Sequence, residues 1–179
     1  MTQRIDRDSS GVFIIAATPF TEQGALDLDS TDRLIDFYLE KGVTGMTILG
    51  MMGEAPKLNA DESRTVVARI MKRVDGRIPV IVGVSAAGLD NLAALSFFAM
   101  EQGAAGVMVA PNPGQTTPEK VMGYFHAVCT ALGPDIPVCF QDYPQTTTVH
   151  VSPATILQMT HEMPQVVRSE EHTSELQSL

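Results

Sequence analysis

Short apolar runs alternate strictly with amphipathic stretches from Gly11 to Val167, and this alternation constrains the fold more than any other feature of the chain. The runs Val12–Ala17, Gly45–Leu49, Pro79–Gly83, Gly106–Ala110 and Pro137–Gln141 are nearly continuous in apolar residues. Parallel strands covered on both faces read this way, because neither side of the sheet meets water. Helical periodicity fills the intervals at about Ser30–Lys41, Ala60–Val74, Leu89–Gln102, Pro118–Leu132 and Pro153–Met163. Their starts carry capping residues: Asn59 with Glu62 three residues on, and Thr117 and Ser152 each just before a proline. Glu40-Lys-Gly-Val-Thr-Gly-Met46 recurs as Glu101-Gln-Gly-Ala-Ala-Gly-Val107, and Ile78-Pro-Val80 as Ile136-Pro-Val138. Each βα unit therefore occupies roughly 30 residues.

Strict βα repetition admits a (β/α)8 barrel or an open doubly wound sheet. A complete barrel needs roughly 250 residues, and the chain has 179. Five units are present, and a sixth strand begins at Gln165-Val166-Val167. The pattern then stops. Residues 168–179 lack strand alternation, and their apolar content is Leu176 and Leu179. The opening codons of a common sequencing-library adapter translate to Arg168 through Ser178 without a mismatch. The sequence therefore reads as an α/β protein, a partial TIM (β/α)8 barrel: a polar arm over 1–10, a truncated barrel domain over 11–167 and an artefactual tail over 168–179.

A net charge of −9 disfavours nucleic acid as a partner. No apolar run reaches membrane-spanning length, and Met1 to Ser10 lacks the apolar core of a signal peptide, so the expected location is the cytoplasm. Cys129 and Cys139 fall in a helical and a strand pattern and read as reduced core residues. His126, His150, His161 and His172 are dispersed without metal-ligand spacing.

Both architectures bind ligands at the C-terminal ends of their strands. The loops there are Thr18-Pro19-Phe20, Gly50-Met51-Met52-Gly53-Glu54, Gly83-Val84-Ser85, Pro111-Asn112-Pro113 and Gln141-Asp142-Tyr143-Pro144. In the second, two glycines flank two residues. Consecutive backbone N–H groups can form an anion-binding nest there, or the glycines can serve a tight turn alone. A third glycine at dinucleotide-fingerprint spacing is missing. Glu54 is an acid/base candidate or a partner for Arg64 or Lys57. Met51, Met52, Met100 and Met108 fit apolar packing. Strand alternation puts Cys139, Gln141 and Tyr143 on one side, with the Tyr143 phenol at the rim, able to relay a proton or to pack.

Thr18-Pro-Phe20, Gly50-x-x-Gly-Glu54, Leu58-x-x-x-Glu62 and Pro79-Val-Ile-Val-Gly83 together resemble the dihydrodipicolinate synthase / N-acetylneuraminate lyase family over about Gly11 to Val167. The resemblance implies a (β/α)8 barrel, an intact homotetramer and class I (Schiff-base) aldolase or lyase chemistry. A lysine condenses with pyruvate or a related 2-oxo acid, and neither a metal nor another cofactor is needed. It also implies that Gly50, Met51, Met52 and Gly53 bind substrate, with Gln141 and Tyr143 as catalytic candidates. The family's lysine follows a Val-Val pair on the sixth strand by a few residues, which corresponds to Glu170 here. The chain departs from the family elsewhere too. Met51 and Met52 replace two threonines, Gln141 stands at a tyrosine position, Thr146 at an arginine position, and Pro111–Pro113 where a tyrosine is expected. These departures suggest a divergent aldolase or hydratase subgroup and an inactive truncated chain. Two other readings stand beside this one: a metal-dependent barrel lyase using Glu54 and Asp142, and a non-catalytic small-molecule binding domain with an open sheet.

Overall fold

The computed structural model describes residues 4–170. Its strands are β1 (Phe13–Ile15), β2 (Gly45–Ile48), β3 (Val80–Gly83), β4 (Gly106–Val109), β5 (Val138–Phe140) and β6 (Val166–Ser169). The helices are α1 (Leu28–Glu40), α2 (Ala60–Val74), α3 (Leu89–Glu101), α4 (Pro118–Leu132), a short α5 (Pro144–Thr147) and α6 (Pro153–Glu162). A single 3-10 turn, Ala55–Lys57, lies between β2 and α2.

The six strands form one parallel sheet in the order β1-β2-β3-β4-β5-β6. That order decides between the two architectures. A doubly wound sheet reverses its strand order at a switch point, whereas a barrel adds each strand beside the last. The chain is therefore an arc of a (β/α)8 barrel.

The near-continuous apolar runs follow from burial on both faces of this arc. Met46, Ile48, Val80, Val82, Val107, Val109, Val138 and Phe140 belong to the large core shared with the helices. The residues alternating with them, Ile81, Met108 and Cys139, form a second cluster with Ile5, inside the arc. The ring of Phe125 on α4 meets Phe140 edge-on at 5.3 Å and fixes the helix layer against β5.

The N-terminal arm is less polar in its role than in its composition. Ile5 is 3% exposed, and its N–H donates to the Ala105 carbonyl at 2.9 Å. Gly106 makes room for it, since a Cβ there would lie 2.7 Å from Ile5 Cγ1. Arg4 and Arg7 donate to the carbonyls of Asp135 and Thr160, so the arm covers the N-terminal ends of the strands.

The helix boundaries follow their caps. The Asn59 carboxamide and the Glu62 carboxylate accept from each other's backbone N–H, both at 2.9 Å. Thr117 and Ser152 accept from Lys120 and Thr155 in the same manner. Helix α1 starts at Leu28 rather than at Ser30, because Asp27 caps it and accepts from the Ser30 N–H at 2.8 Å. Two Arg–Asp pairs join α1 to α2. Arg69 grips Asp32 with two bonds of 2.8 Å, and Arg73 grips Asp36 through Nε at 2.8 Å.

Strand β6 takes in Arg168 and Ser169, which the sequence pattern assigns to the tail. Ladder bonds use backbone groups, so pairing continues without apolar alternation. A bulge shifts the register, so that Val138 faces Val166 and Cys139 faces Arg168. The Arg168 guanidinium lies 4.8 Å from the centroid of the Phe13 ring and donates to the Ser9 carbonyl. The rest of the tail, from residue 171, lies outside the described residues, as does His172. No described helix is long and apolar enough to cross a membrane.

Candidate functional site

The C-terminal mouth of the arc carries the candidate residues. Leu49 leaves β2 with φ +53°, a left-handed conformation that is rare for so bulky a residue. The chain then turns through Gly50, Met51, Met52 and Gly53, and the Glu54 N–H donates to the Met51 carbonyl at 3.1 Å. Glu54 is also left-handed, at φ +54°. Gly50 faces the inside of the arc: a Cβ on it would lie 3.3 Å from Met108 Cε and 3.4 Å from Ile15 Cγ2. Gly50 and Gly53 are buried, Met51 is half-buried, and Met52 projects outward with 62% exposure. The packing role expected of Met52 is therefore not observed, because the turn points its side chain away from the core.

Among the described residues, no group accepts from the N–H donors of Gly50, Met51, Met52 or Gly53. Four successive unspent amides at a turn concentrate positive partial charge, as in other backbone anion sites. Both glycines lack a side chain that would block approach to them.

The opposite side of the mouth comes from β5 and β6. Gln141 is 5% exposed, and its N–H continues the ladder by donating to Val109 O at 3.0 Å. Its carboxamide Nε2 donates to Glu170 Oε2 at 3.0 Å. The Glu170 N–H donates to Phe140 O at 3.0 Å, which fixes this residue at the end of β6. The structure thus brings together Gln141 and the position that follows the Val166-Val167 pair.

Tyr143 is placed differently from the expectation. The strand ends at Phe140, and Tyr143 caps the short α5 helix with φ −121° and ψ 75°. Strand alternation no longer applies there, and the phenol donates to Gln145 Oε1 at 3.2 Å on an exposed edge. Pro144 is the physical cause, since its fixed φ starts the helix and ends the extended run.

Glu54 settles on Lys57, at 2.5 Å, rather than on Arg64. The Arg64 guanidinium lies 5.8 Å from the Phe98 ring centroid. Asp142 is buried on the other side of the mouth. Among the described residues no three His, Cys, Asp or Glu gather as a metal site would require. His126 instead meets Glu162 on the helix surface at 3.2 Å. All four lysines lie off the strands: Lys41 ends α1, Lys57 is in the 3-10 turn, and Lys72 and Lys120 are on α2 and α4.

Two features of the site escaped the sequence patterns. Thr18, buried, donates its hydroxyl to the Gly53 carbonyl at 2.7 Å. A cleft of about 260 Å³ lies behind the turn, between α2 and α3, lined by Ser63, Arg64, Ser85 and Asn91 among others. The place of Thr18 in the loop after the first apolar run was the one available signal for the first. Nothing in the pattern marks the second.

Six sequential parallel strands with a donor-rich turn at their C-terminal mouth define a partial TIM barrel. The chain belongs to the dihydrodipicolinate synthetase family, whose model matches residues 8–179. It is 31% identical over 169 residues to a 4-hydroxy-tetrahydrodipicolinate synthase of Salinibacter ruber, covering 94% of the chain and 56% of that protein. It is 35% identical over 150 residues to the same enzyme of Nitrosomonas eutropha, covering 83% of the chain and 51% of the relative. The crystal structure of a dihydrodipicolinate synthase from Rhodopseudomonas palustris superposes with a TM-score of 0.91 at 42% identity, over 95% of this chain and 56% of that one. A pyruvate complex of YagE, a prophage protein of the family from E. coli K12, superposes with a TM-score of 0.82 at 27% identity, over 89% of this chain and 53% of its own. The chain spans about half the length of the curated relatives it matches.

Proposed function

We propose that the protein is a class I, Schiff-base aldolase or lyase of the cytoplasm, acting on pyruvate or a related 2-oxo acid, and that its intact form is a homotetramer. The observation that carries this reading is the row of unspent N–H groups from Gly50 to Gly53, set over Ile15 and Met108 at the mouth of the arc. A 2-oxo acid presents a carboxylate to such a row and leaves its carbonyl carbon over the inner strands. Bonds from backbone N–H to a charged acceptor are each worth about 1.5–3 kcal/mol.

The second half of the reading concerns the amine. Carbinolamine and imine formation need a neutral amine at the carbonyl carbon, and the resulting iminium then serves as the electron sink for making or breaking the carbon–carbon bond. The residue at the end of β6 beside Gln141 is Glu170, a carboxylate that cannot do this. The 179-residue chain is therefore inactive in Schiff-base chemistry. Gln141 orients groups at the mouth through its amide, which carries no titratable proton. Tyr143, two residues on, carries a phenol proton that it donates to Gln145 Oε1.

Reductive trapping tests this directly. The chain, incubated with pyruvate and borohydride, gains no covalent mass, whereas a full-length protein with a lysine at this strand end gains one reduced pyruvyl group. Trapping on the 179-residue chain at Lys41, Lys57, Lys72 or Lys120 refutes the assignment.

A further inference from the structure

The turn that carries the free amides is under conformational constraint, and two residues outside it supply that constraint. Leu49 is 3% exposed and left-handed at φ +53°. A bulky residue keeps such a conformation only where its surroundings over-determine it. The first determinant is Gly83, at the end of β3. A Cβ on Gly83 would lie 2.1 Å from the Leu49 carbonyl oxygen and 2.7 Å from its carbon, so the missing side chain is what admits that carbonyl. The second is Thr18, whose hydroxyl donates to the Gly53 carbonyl at 2.7 Å from the loop after β1. The turn also closes tightly on itself, since a Cβ on Gly53 would lie 2.9 Å from Leu49 N. The Gly53 carbonyl is thereby held by the Thr18 hydroxyl and the Leu49 carbonyl is accommodated at Gly83, while the four amides between them stay unspent.

We propose that Thr18 and Gly83 are positioning residues for the 2-oxo-acid site. Thr18 holds the Gly53 carbonyl, Gly83 admits the Leu49 carbonyl, and together they lock the Gly50–Gly53 amides in a geometry ready for a carboxylate. This rests on the reading that the turn holds the substrate's carboxylate. The lock matters because a pre-formed donor array binds without the cost of ordering it, whereas a loose turn must be ordered by the ligand.

The test uses the full 179-residue chain, labelled with nitrogen-15, with Thr18→Val, Thr18→Ser and Gly83→Ala. Valine keeps the shape and removes the donor, and serine restores the donor. Two quantities are read on the same amides: order parameters at Gly50–Gly53, and the dissociation constant for pyruvate from a shift titration. In the parent chain the turn is rigid, with order parameters near 0.85, and in Thr18→Val they fall below about 0.6 at these residues alone. Pyruvate binding weakens about tenfold, the equivalent of one hydrogen bond, and Thr18→Ser recovers it. Gly83→Ala loosens the same turn, and if that variant fails to fold, the valine and serine pair decides. Unchanged order parameters and affinity in Thr18→Val overturn the proposal. A loosened turn with no pyruvate binding in the parent chain upholds the lock and overturns the carboxylate reading, so the two failures are distinct.

Discussion

Replacing Glu170 with lysine should give the chain the one group that the proposed chemistry lacks. An ordinary lysine amine is neutral in fewer than about one molecule in a thousand at pH 7, which makes it a poor nucleophile. The end of β6 alters that balance. Gln141 presents its carboxamide N–H2 toward this position, at 3.0 Å from the Glu170 oxygen. Gln141 itself is 5% exposed, and the inner wall below is built from Cys139 and Met108. An ammonium here loses part of its hydration, which favours the neutral amine, while the Gln141 carboxamide can turn its oxygen toward it and offset part of that effect. Desolvation of this kind raises the neutral fraction by about tenfold. The carboxylate-holding amides of Gly50–Gly53 should add proximity on top of this. The assay is incubation of Glu170→Lys with pyruvate and cyanoborohydride, followed by intact mass and peptide mapping. The expected product carries a single reduced pyruvyl group at position 170, while Lys41, Lys57, Lys72 and Lys120 stay unmodified as internal controls. A folded variant that traps nothing, or traps equally at the four native lysines, would refute the equivalence of position 170 with the family's nucleophile.

Three further outcomes follow from the same geometry. Met51→Thr, in the full-length protein, should tighten pyruvate binding by roughly tenfold for one recovered hydrogen bond, measured as a dissociation constant, whereas Met52→Thr, whose side chain projects outward, should leave it unchanged, and unchanged binding in Met51→Thr would count against this turn as the carboxylate's holder. Arg73 beside Asp36 holds that carboxyl below its ordinary value. Since the unfolded chain then binds more protons, the stabilisation is complete above about pH 4 and is lost as pH falls through the lower folded value, so Asp36→Asn should flatten the acid limb of a melting-temperature profile. Burial pushes the Cys129 thiol up to about 11. The native chain at pH 8 should therefore react slowly with a disulfide reagent, and the denatured chain rapidly at both cysteines.

The arc itself was legible in the sequence because both of its faces are buried. Burial on two faces writes valine, isoleucine and methionine continuously into Val80–Val82 and Gly106–Val109, and local capping at Asn59, Thr117 and Ser152 marks the helices between them. The choice of barrel over doubly wound sheet was not written locally, because strand order is a property of non-adjacent segments. Tyr143 was misplaced because alternation was extended past Phe140, where Pro144 had already begun a helix. Arg168 and Ser169 entered β6 for the opposite reason, since ladder pairing needs only backbone groups from β5. The least legible feature is the one with most bearing on function. Leucine at position 49 gives no local sign of a left-handed backbone, and nothing nearby in sequence demands it. Gly83, at the end of β3, leaves room for the Leu49 carbonyl, and Thr18 holds the Gly53 carbonyl, and both are distant in sequence. The glycines at 50 and 53 signal only that the chain can turn. What holds the turn in place is tertiary, so a site of this kind can keep its motif letters and still lose its geometry through a change at Thr18.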